Sequence, residues 1–88
     1  MYTLKQDPYA VIIRVYNLSP DFTDKQLRKI FEHFGTVLSA VISRNQFNGR
    51  SNRNGVVEML KMEDGEEAIR SLDGSVVDGR AISVLKFE

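Results

Sequence analysis

Three arginines in the middle of the chain are the residues best suited to bind a charged ligand. Arg44, Arg50 and Arg53 lie in a stretch from residue 33 to residue 57 that contains no acidic residue. A guanidinium group carries a planar set of N–H donors that matches the oxygens of a phosphate. The sequence therefore predicts a basic surface on one side of the domain. The alternative is that these arginines are solvated loop residues.

A histidine next to an acid, His33 after Glu32, is the other pair of side chains that could move a proton. Its place on the outer side of a predicted helix is more typical of a solvated histidine than of a general base. The segment 17–21, after the first predicted strand, has neither the glycine nor the arginine that a phosphate-cradling loop needs. We therefore predict that the chain is not an enzyme. With a single histidine and no cysteine, the chain cannot form a Cys/His zinc site. We also expect no cofactor, no metal site and no small-molecule substrate.

The chain of 88 residues, 42% of them hydrophobic, is long enough for one small domain. We predict a flexible leader over residues 1–8 and one domain over residues 9–88. No apolar run is long enough to cross a membrane, so we expect an intracellular protein without a membrane partner, in the nucleus, the cytoplasm or an organelle. The net charge is zero and the pI about 6.6, which argues against a domain that binds nucleic acid mainly by bulk charge.

The first half of the chain predicts a strand, a helix and a second strand. Val11–Tyr16 is rich in branched apolar residues, which is typical of a central strand. Thr23 and Gln26 form a capping box, and apolar residues then recur at helical spacing until Gly35. Val37–Arg44 predicts a second strand with a bulge near its start. The bulge is expected near Leu38 and Ser39, and the buried side chains are expected to be Val37, Ala40 and Ile42.

The second half predicts a strand, a helix and a last strand. Residues 45–52, rich in asparagine, predict a loop that leads into the third strand. An acidic segment opens a second helix at Glu63, with Gly65 weakening its first turn and Asp73-Gly74 ending it. A short hairpin link precedes a last strand, Ala81–Phe87. This order predicts an α+β, ferredoxin-like βαββαβ fold, in which both helices cover one face of a four-stranded antiparallel sheet.

Four landmarks at this spacing resemble the RNA recognition motif (RRM) family along nearly the whole chain. A first-strand hexamer ends in Asn-Leu, the first helix ends in Phe-Gly, an octamer forms the third strand, and a characteristic stretch closes the domain. They are Ile13–Leu18, Leu27–Gly35, Asn52–Met59 and Ala68–Arg80. The resemblance implies the RRM fold and binding of single-stranded RNA on the open face of the sheet.

The octamer keeps the buried half of the family pattern and changes the exposed half. Gly55, Val57 and Met59 match positions that pack in the core, whereas the rings on which bases stack are missing. The ring positions carry Arg14 in the hexamer and Asn54 and Val56 in the octamer. The resemblance therefore implies an RNA-binding module of non-standard type, acting in RNA processing, which uses the open face and the basic loop between the second and third strands. The residues predicted to contact RNA are Arg14, Tyr16, Ser43, Arg44, Arg50, Arg53, Asn54, Val56 and Phe87.

The predicted open face is also apolar enough to bind protein. An exposed apolar patch commonly marks a partner site. The residues predicted to form this patch are Val41, Val56, Leu85 and Phe87. The partner would be a second copy of the chain, another protein, or the leader through Tyr2 and Leu4. A protein-interaction or self-association module is therefore the alternative function.

Overall fold

Residues 10–87 are described by a computed structural model, in which they form two helices and six strands. Their bounds are β1 Val11–Tyr16, α1 Asp24–Glu32, β2 Val37–Arg44, β3 Ser51–Met59, α2 Met62–Leu72, β4 Val76–Val77, β5 Arg80–Ala81 and β6 Ser83–Lys86. The leader predicted over residues 1–8, with Tyr2 and Leu4, lies outside the described residues. Within the described range, neither helix has the length and apolar character that a membrane crossing requires.

Four strands form one antiparallel sheet in the order β2-β3-β1-β6. β1 and β3 are therefore its central strands, and β2 and β6 are its edges. Leu27 and Phe31 of α1 and Ala68 of α2 belong to the same buried cluster as the inward side chains of the strands. The predicted ferredoxin-like βαββαβ arrangement is confirmed.

The core lies between the helices and one face of the central strands, because successive side chains of a strand point to opposite faces. Ile13, Val15, Val57 and Met59 are completely buried, whereas Arg14 between the first two is only partly buried. Each apolar side chain of this size contributes about 1.5–3 kcal/mol when it is fully buried. Burial of these side chains therefore fixes which face of the two central strands points away from the helices.

Helix α1 begins at the predicted capping box. The Gln26 N–H donates to Thr23 Oγ1 (3.1 Å), and the Thr23 N–H donates to Gln26 Oε1 (2.9 Å). The helix ends at Glu32, before the predicted stop at Gly35, because a tighter i→i+3 turn closes it. The start was predictable from local residues, and the end was only approximately so.

The bounds of β2 and its bulge are confirmed, since the register with β3 shifts between Val37 and Ser39. β3 begins at Ser51, so the predicted loop over residues 45–52 is too long at its end. A second register shift after Ile42 lets Arg44 pair with Ser51 and extends the ladder toward the turn.

The predicted last strand, Ala81–Phe87, is wrong at its start. Arg80–Ala81 pairs with β4 in a separate two-stranded ribbon, and the strand of the main sheet begins only at Ser83. Asp78 and Gly79 both have positive φ (53° and 81°), as a tight hairpin turn requires. The chain therefore folds back on β4 before it enters the main sheet.

Carboxylates occupy outward-facing N–H groups of both edge strands. Asp24 Oδ1 accepts from the Ile42 N–H of β2 (2.8 Å), and Asp73 Oδ1 accepts from the Val84 N–H of β6 (2.9 Å). Unpaired edge groups are a template for a further strand. These two bonds therefore hinder strand addition at either edge and leave the face of the sheet as the larger free surface.

Gly65 allows α2 to pack closely on β1. The residue is buried, and a Cβ atom at this position would clash with Cγ1 of Val11 and lie 3.4 Å from Cδ1 of Ile13. Gly65 therefore lowers the intrinsic stability of α2 but is required for α2 to pack against β1.

We expect Gly65→Ala to lower the free energy of unfolding, because overpacking costs about 1–3 kcal/mol and exceeds the gain of about 1 kcal/mol in helix propensity. Urea denaturation followed by circular dichroism measures the change. Ser71→Ala, at an exposed position of the same helix, is the control and should leave stability unchanged or raise it. Equal stability of the two variants would contradict the close approach of α2 to β1.

Candidate functional site

Three rows of side chains cross the sheet on the side away from the helices, which we call the open face. The middle row runs from Val41 through Val56 and Arg14 to Leu85, because the register pairs each of these residues with the next. Val41 and Leu85 are 54% and 51% exposed, and Val56 is 36% exposed. A cation therefore lies near the centre of an otherwise apolar row.

Arg14 lies over the ring of Phe87. Its Cζ atom is 4.5 Å from the ring centroid, which is within the range of a cation–π contact. Phe87 follows β6 and is held beside β1 by its backbone N–H, which donates to the Ile12 carbonyl (2.8 Å). Within residues 10–87, the buried Nε atom of Arg14 has no hydrogen-bond partner. The guanidinium group is thus positioned by an aromatic ring on the open face.

The row nearest the β2–β3 loop contains one accessible ring. Tyr16 pairs with Asn54 on β3 and with Ser83 on β6. The Asn54 amide donates through Nδ2 to the carbonyl of Asn52 (3.1 Å), which leaves its Oδ1 as an acceptor. The row therefore offers a ring and two polar side chains next to one another.

The row at the other end of the open face carries an acid. Glu58 pairs with Ser39 on β2 and with Ile12 on β1, and Phe87 lies beyond Ile12. Negative charge on the open face therefore lies at the Glu58 end, which is the end away from the β2–β3 loop.

The β2–β3 loop, residues 45–50, is closed by hydrogen bonds around Asn45. The Asn45 N–H donates to the Arg50 carbonyl and the Asn45 carbonyl accepts from the Gly49 N–H, both at 2.8 Å. Asn45 Oδ1 also accepts from the N–H groups of Phe47 (2.8 Å) and Asn48 (3.1 Å). The loop is a hydrogen-bonded turn that presents its exposed side chains from a fixed backbone.

The three arginines of the predicted basic surface lie at the end of the sheet that carries the β2–β3 loop. Arg44, Arg50 and Arg53 are all exposed. Arg44 and Arg50 line a cleft of about 420 Å³, together with Asp21 of the β1–α1 connection. Ser43 lies at the same end of β2. The cleft combines two guanidinium groups with one carboxylate, so it can pair with both phosphate oxygens and hydrogen-bond donors.

Arg53 adopts a left-handed backbone conformation, with φ of 67°. This is the octamer position at which the family pattern has glycine. The Arg53 N–H donates to Ser51 Oγ (2.8 Å), and the Arg53 carbonyl accepts from the Leu18 N–H (2.9 Å). These bonds hold Arg53 in a backbone conformation that is strained for a residue with a Cβ atom.

The structure brings the predicted site residues together in two adjoining groups. The group on the open face comprises Arg14, Tyr16, Asn54, Val56 and Phe87. The group at the loop end comprises Ser43, Arg44, Arg50 and Arg53. The patch of the alternative function overlaps the first group and adds Val41 and Leu85. The sequence-based site omitted Phe47, although an aromatic residue among turn-forming residues was a signal for an exposed ring.

Comparison with known proteins gives a consistent result. The family model for the RNA recognition motif matches residues 13–83. A 28 kDa chloroplastic ribonucleoprotein of Nicotiana sylvestris is 39% identical over 72 residues, which are 82% of this chain and 26% of that protein. Small ribosomal subunit protein cS22 of Arabidopsis thaliana is 36% identical over 73 residues, 81% of this chain and 29% of that protein. The crystal structure of RNA Binding Protein PG1 is 30% identical, with a TM-score of 0.86, covering 88% of this chain and 93% of that one. The chain spans less than a third of either curated relative.

We expect Arg53→Gly to raise the free energy of unfolding by roughly 0.5–1 kcal/mol. Glycine removes the strain of the left-handed conformation, which is about 1–2 kcal/mol. It also raises the conformational entropy of the unfolded chain, which lowers stability by about 0.4–1 kcal/mol, so the net effect is stabilising. Equilibrium urea unfolding measures the difference. Arg50→Gly removes the same charge where φ is not positive, so it should not stabilise the protein. A similar rise in both glycine variants would show that charge, and not backbone strain, is responsible.

Proposed function

This chain belongs to the RNA recognition motif family, and on that premise we propose that it is an RNA-binding module that contacts single-stranded RNA through the open face and the β2–β3 loop. The binding is of a non-standard type, because the ring positions of the family pattern carry Arg14, Asn54 and Val56. A ribonucleoprotein and an RNA-binding protein among its relatives support RNA as the ligand. No catalytic step is part of this proposal.

The observation that carries the proposal is the contact between Arg14 and Phe87 at the centre of the open face. Guanidinium groups stack on unpaired bases in RNA recognition, as aromatic rings do. An arginine already held against a ring loses less conformational entropy on binding than a free one. Together with the accessible ring of Tyr16 in the next row, it provides surfaces on which bases can stack.

Hydrogen-bonding groups lie beside these stacking surfaces. Asn54 Oδ1 can accept from the amino group of a base, and the Ser43 hydroxyl lies at the loop end of β2. Val56, between Arg14 and Val41, offers apolar contact to the flat side of a base. These groups favour bases that are unpaired, because only those expose both their edges and their faces.

The loop arginines supply the contacts to the RNA backbone. Arg44 and Arg50 at the cleft, with Arg53 on β3, are exposed and can pair with phosphate oxygens. Because the chain has no net charge, attraction to RNA arises from this local group. Affinity should therefore depend on a few arginines far more than on the total charge.

The second candidate function is protein interaction through the same face, with self-association as its simplest form. The observation that favours it is the row of Val41, Val56 and Leu85, three exposed apolar side chains on three strands. A surface of this kind gains free energy when it is removed from water. Arg14, in the middle of the row, makes the patch less apolar and favours RNA as the first candidate.

The proposed place of action is an RNA-containing compartment inside the cell, in RNA processing. One relative is a chloroplastic ribonucleoprotein, which shows that a protein similar to this chain is found in an organelle. Nucleus, cytoplasm and organelle therefore stay equal alternatives for this chain.

Arg50→Glu combined with Arg53→Glu should abolish binding of fluorescein-labelled single-stranded RNA of randomised sequence, measured by fluorescence anisotropy. For the unaltered protein, the logarithm of affinity should fall with the logarithm of salt concentration with a slope no steeper than about −2. Three arginine–phosphate contacts with single-stranded RNA give that slope, because each contact contributes about −0.7 to it.

The matched control for this prediction is Lys25→Glu combined with Lys29→Glu. It makes the same change in charge on the exposed side of α1, in the layer behind the sheet. This variant should keep most of the RNA affinity. An equal loss of binding in the two double variants would assign the binding to total charge and contradict the proposed site.

The second candidate predicts self-association that increases with protein concentration and is lost in Val56→Glu combined with Leu85→Glu. A carboxylate left unpaired in an apolar interface costs several kcal/mol. Sedimentation equilibrium measures the oligomeric state. Val76→Glu, at a 71% exposed apolar residue of the β4–β5 ribbon, is the control that should leave association intact. Association that persists in the double variant would exclude the open face as the interface.

A further inference from the structure

The aromatic ring of Phe47 is presented to solvent by the β2–β3 loop. Its side chain is 87% exposed, a larger fraction than for any other large apolar residue in the described range. Phe22 and Phe31, by comparison, are buried in the core. Phe47 therefore contributes no core packing to the fold, although its ring is as large as theirs.

The backbone that carries this ring is fixed by several hydrogen bonds. Asn45 Oδ1 accepts from the Phe47 N–H itself, and two backbone bonds link Asn45 to Gly49 and Arg50. The Arg50 N–H in turn donates to Asn48 Oδ1 (2.9 Å). A ligand that binds the ring therefore meets a backbone that is already ordered, which lowers the entropy cost of binding.

The position of the loop relative to the open face identifies the kind of ligand. Along β3 from Glu58, the open face passes Val56 and then Asn54, and the loop follows directly beyond Ser51. The ring also lies in the chain between Arg44 and Arg50, the two arginines of the cleft. A strand of RNA that leaves the Asn54–Tyr16 row at this end therefore reaches two cations and one aromatic ring.

We propose that Phe47 is a stacking platform for one nucleobase of the bound RNA, displaced from the sheet onto the β2–β3 loop. This inference rests on the proposed function. Every base has a flat π face, so a ring on a loop binds one base of any identity, while Arg44 and Arg50 pair with the neighbouring phosphates. The loop thereby supplies a ring that the Arg14, Asn54 and Val56 positions of the sheet lack.

The first test compares Phe47→Ala, Phe47→Leu and Val76→Ala for anisotropy binding of fluorescein-labelled single-stranded RNA of randomised sequence. Loss of one stacked base should weaken binding about 5- to 150-fold in both Phe47 variants. Leucine keeps an apolar side chain without a π face, so it separates stacking from simple apolar contact. Val76→Ala truncates another highly exposed apolar side chain, on the β4–β5 ribbon, and should not change the affinity.

The second test uses the absence of tryptophan from the chain. Phe47→Trp places one indole at the proposed platform, should bind RNA at least as tightly as the unaltered protein, and should lose fluorescence as a base stacks on it. An abasic ribose-phosphate strand should cause no such quenching, and its binding should be equal for the unaltered protein and Phe47→Ala. Because Phe47 is outside the core, all variants should unfold at the same urea concentration.

The outcomes separate this inference from the function on which it rests. If RNA binds and responds to Arg50→Glu with Arg53→Glu, but Phe47→Ala binds as Val76→Ala does, the platform is overturned and the RNA-binding function stands. If Phe47→Leu binds as the unaltered protein does while Phe47→Ala does not, the contact is apolar and stacking is overturned. If RNA does not bind the unaltered protein at all, both proposals fall together.

Discussion

The pairing of β1 with β3 is the constraint on which the rest of the molecule depends. Its register sets Ile13 against Val57 in the core and Arg14 against Val56 on the open face. A slip by one residue would exchange the two faces of the strand and bury a guanidinium group without a partner, which costs several kcal/mol. The packing that stabilises the fold is therefore the same packing that presents Arg14 to a ligand. Fold and site cannot be changed independently at these positions.

Features that depend on neighbours in the chain were predictable from the sequence. The alternation of β1, the Thr23 and Gln26 capping box and the bulge near Leu38 each involve residues within one turn or one strand. The same period of two predicted that Arg14 and Val56 share the open face, because alternation fixes the face once the apolar side is known. The sequence therefore established the composition of much of the candidate site.

Features that depend on distant contacts were not predictable. Phe87 reaches Arg14 only through the pairing of β6 with β1. The left-handed conformation of Arg53 contradicts the local preference of arginine and is held by a bond from Leu18. Each of these features belongs to the tertiary structure.

The distribution of charge explains how a chain of zero net charge can present a surface that attracts phosphate. The acids of α2 lie in the helical layer, on the side of the sheet opposite the open face. On the open face itself, Glu58 lies at the end away from the β2–β3 loop. Under the proposed function, a strand of RNA would be repelled at the Glu58 end of the sheet and attracted by Arg44 and Arg50 at the loop end. Under the proposed function, this gradient favours a strand whose phosphates lie near the loop and whose bases meet Tyr16 and Arg14.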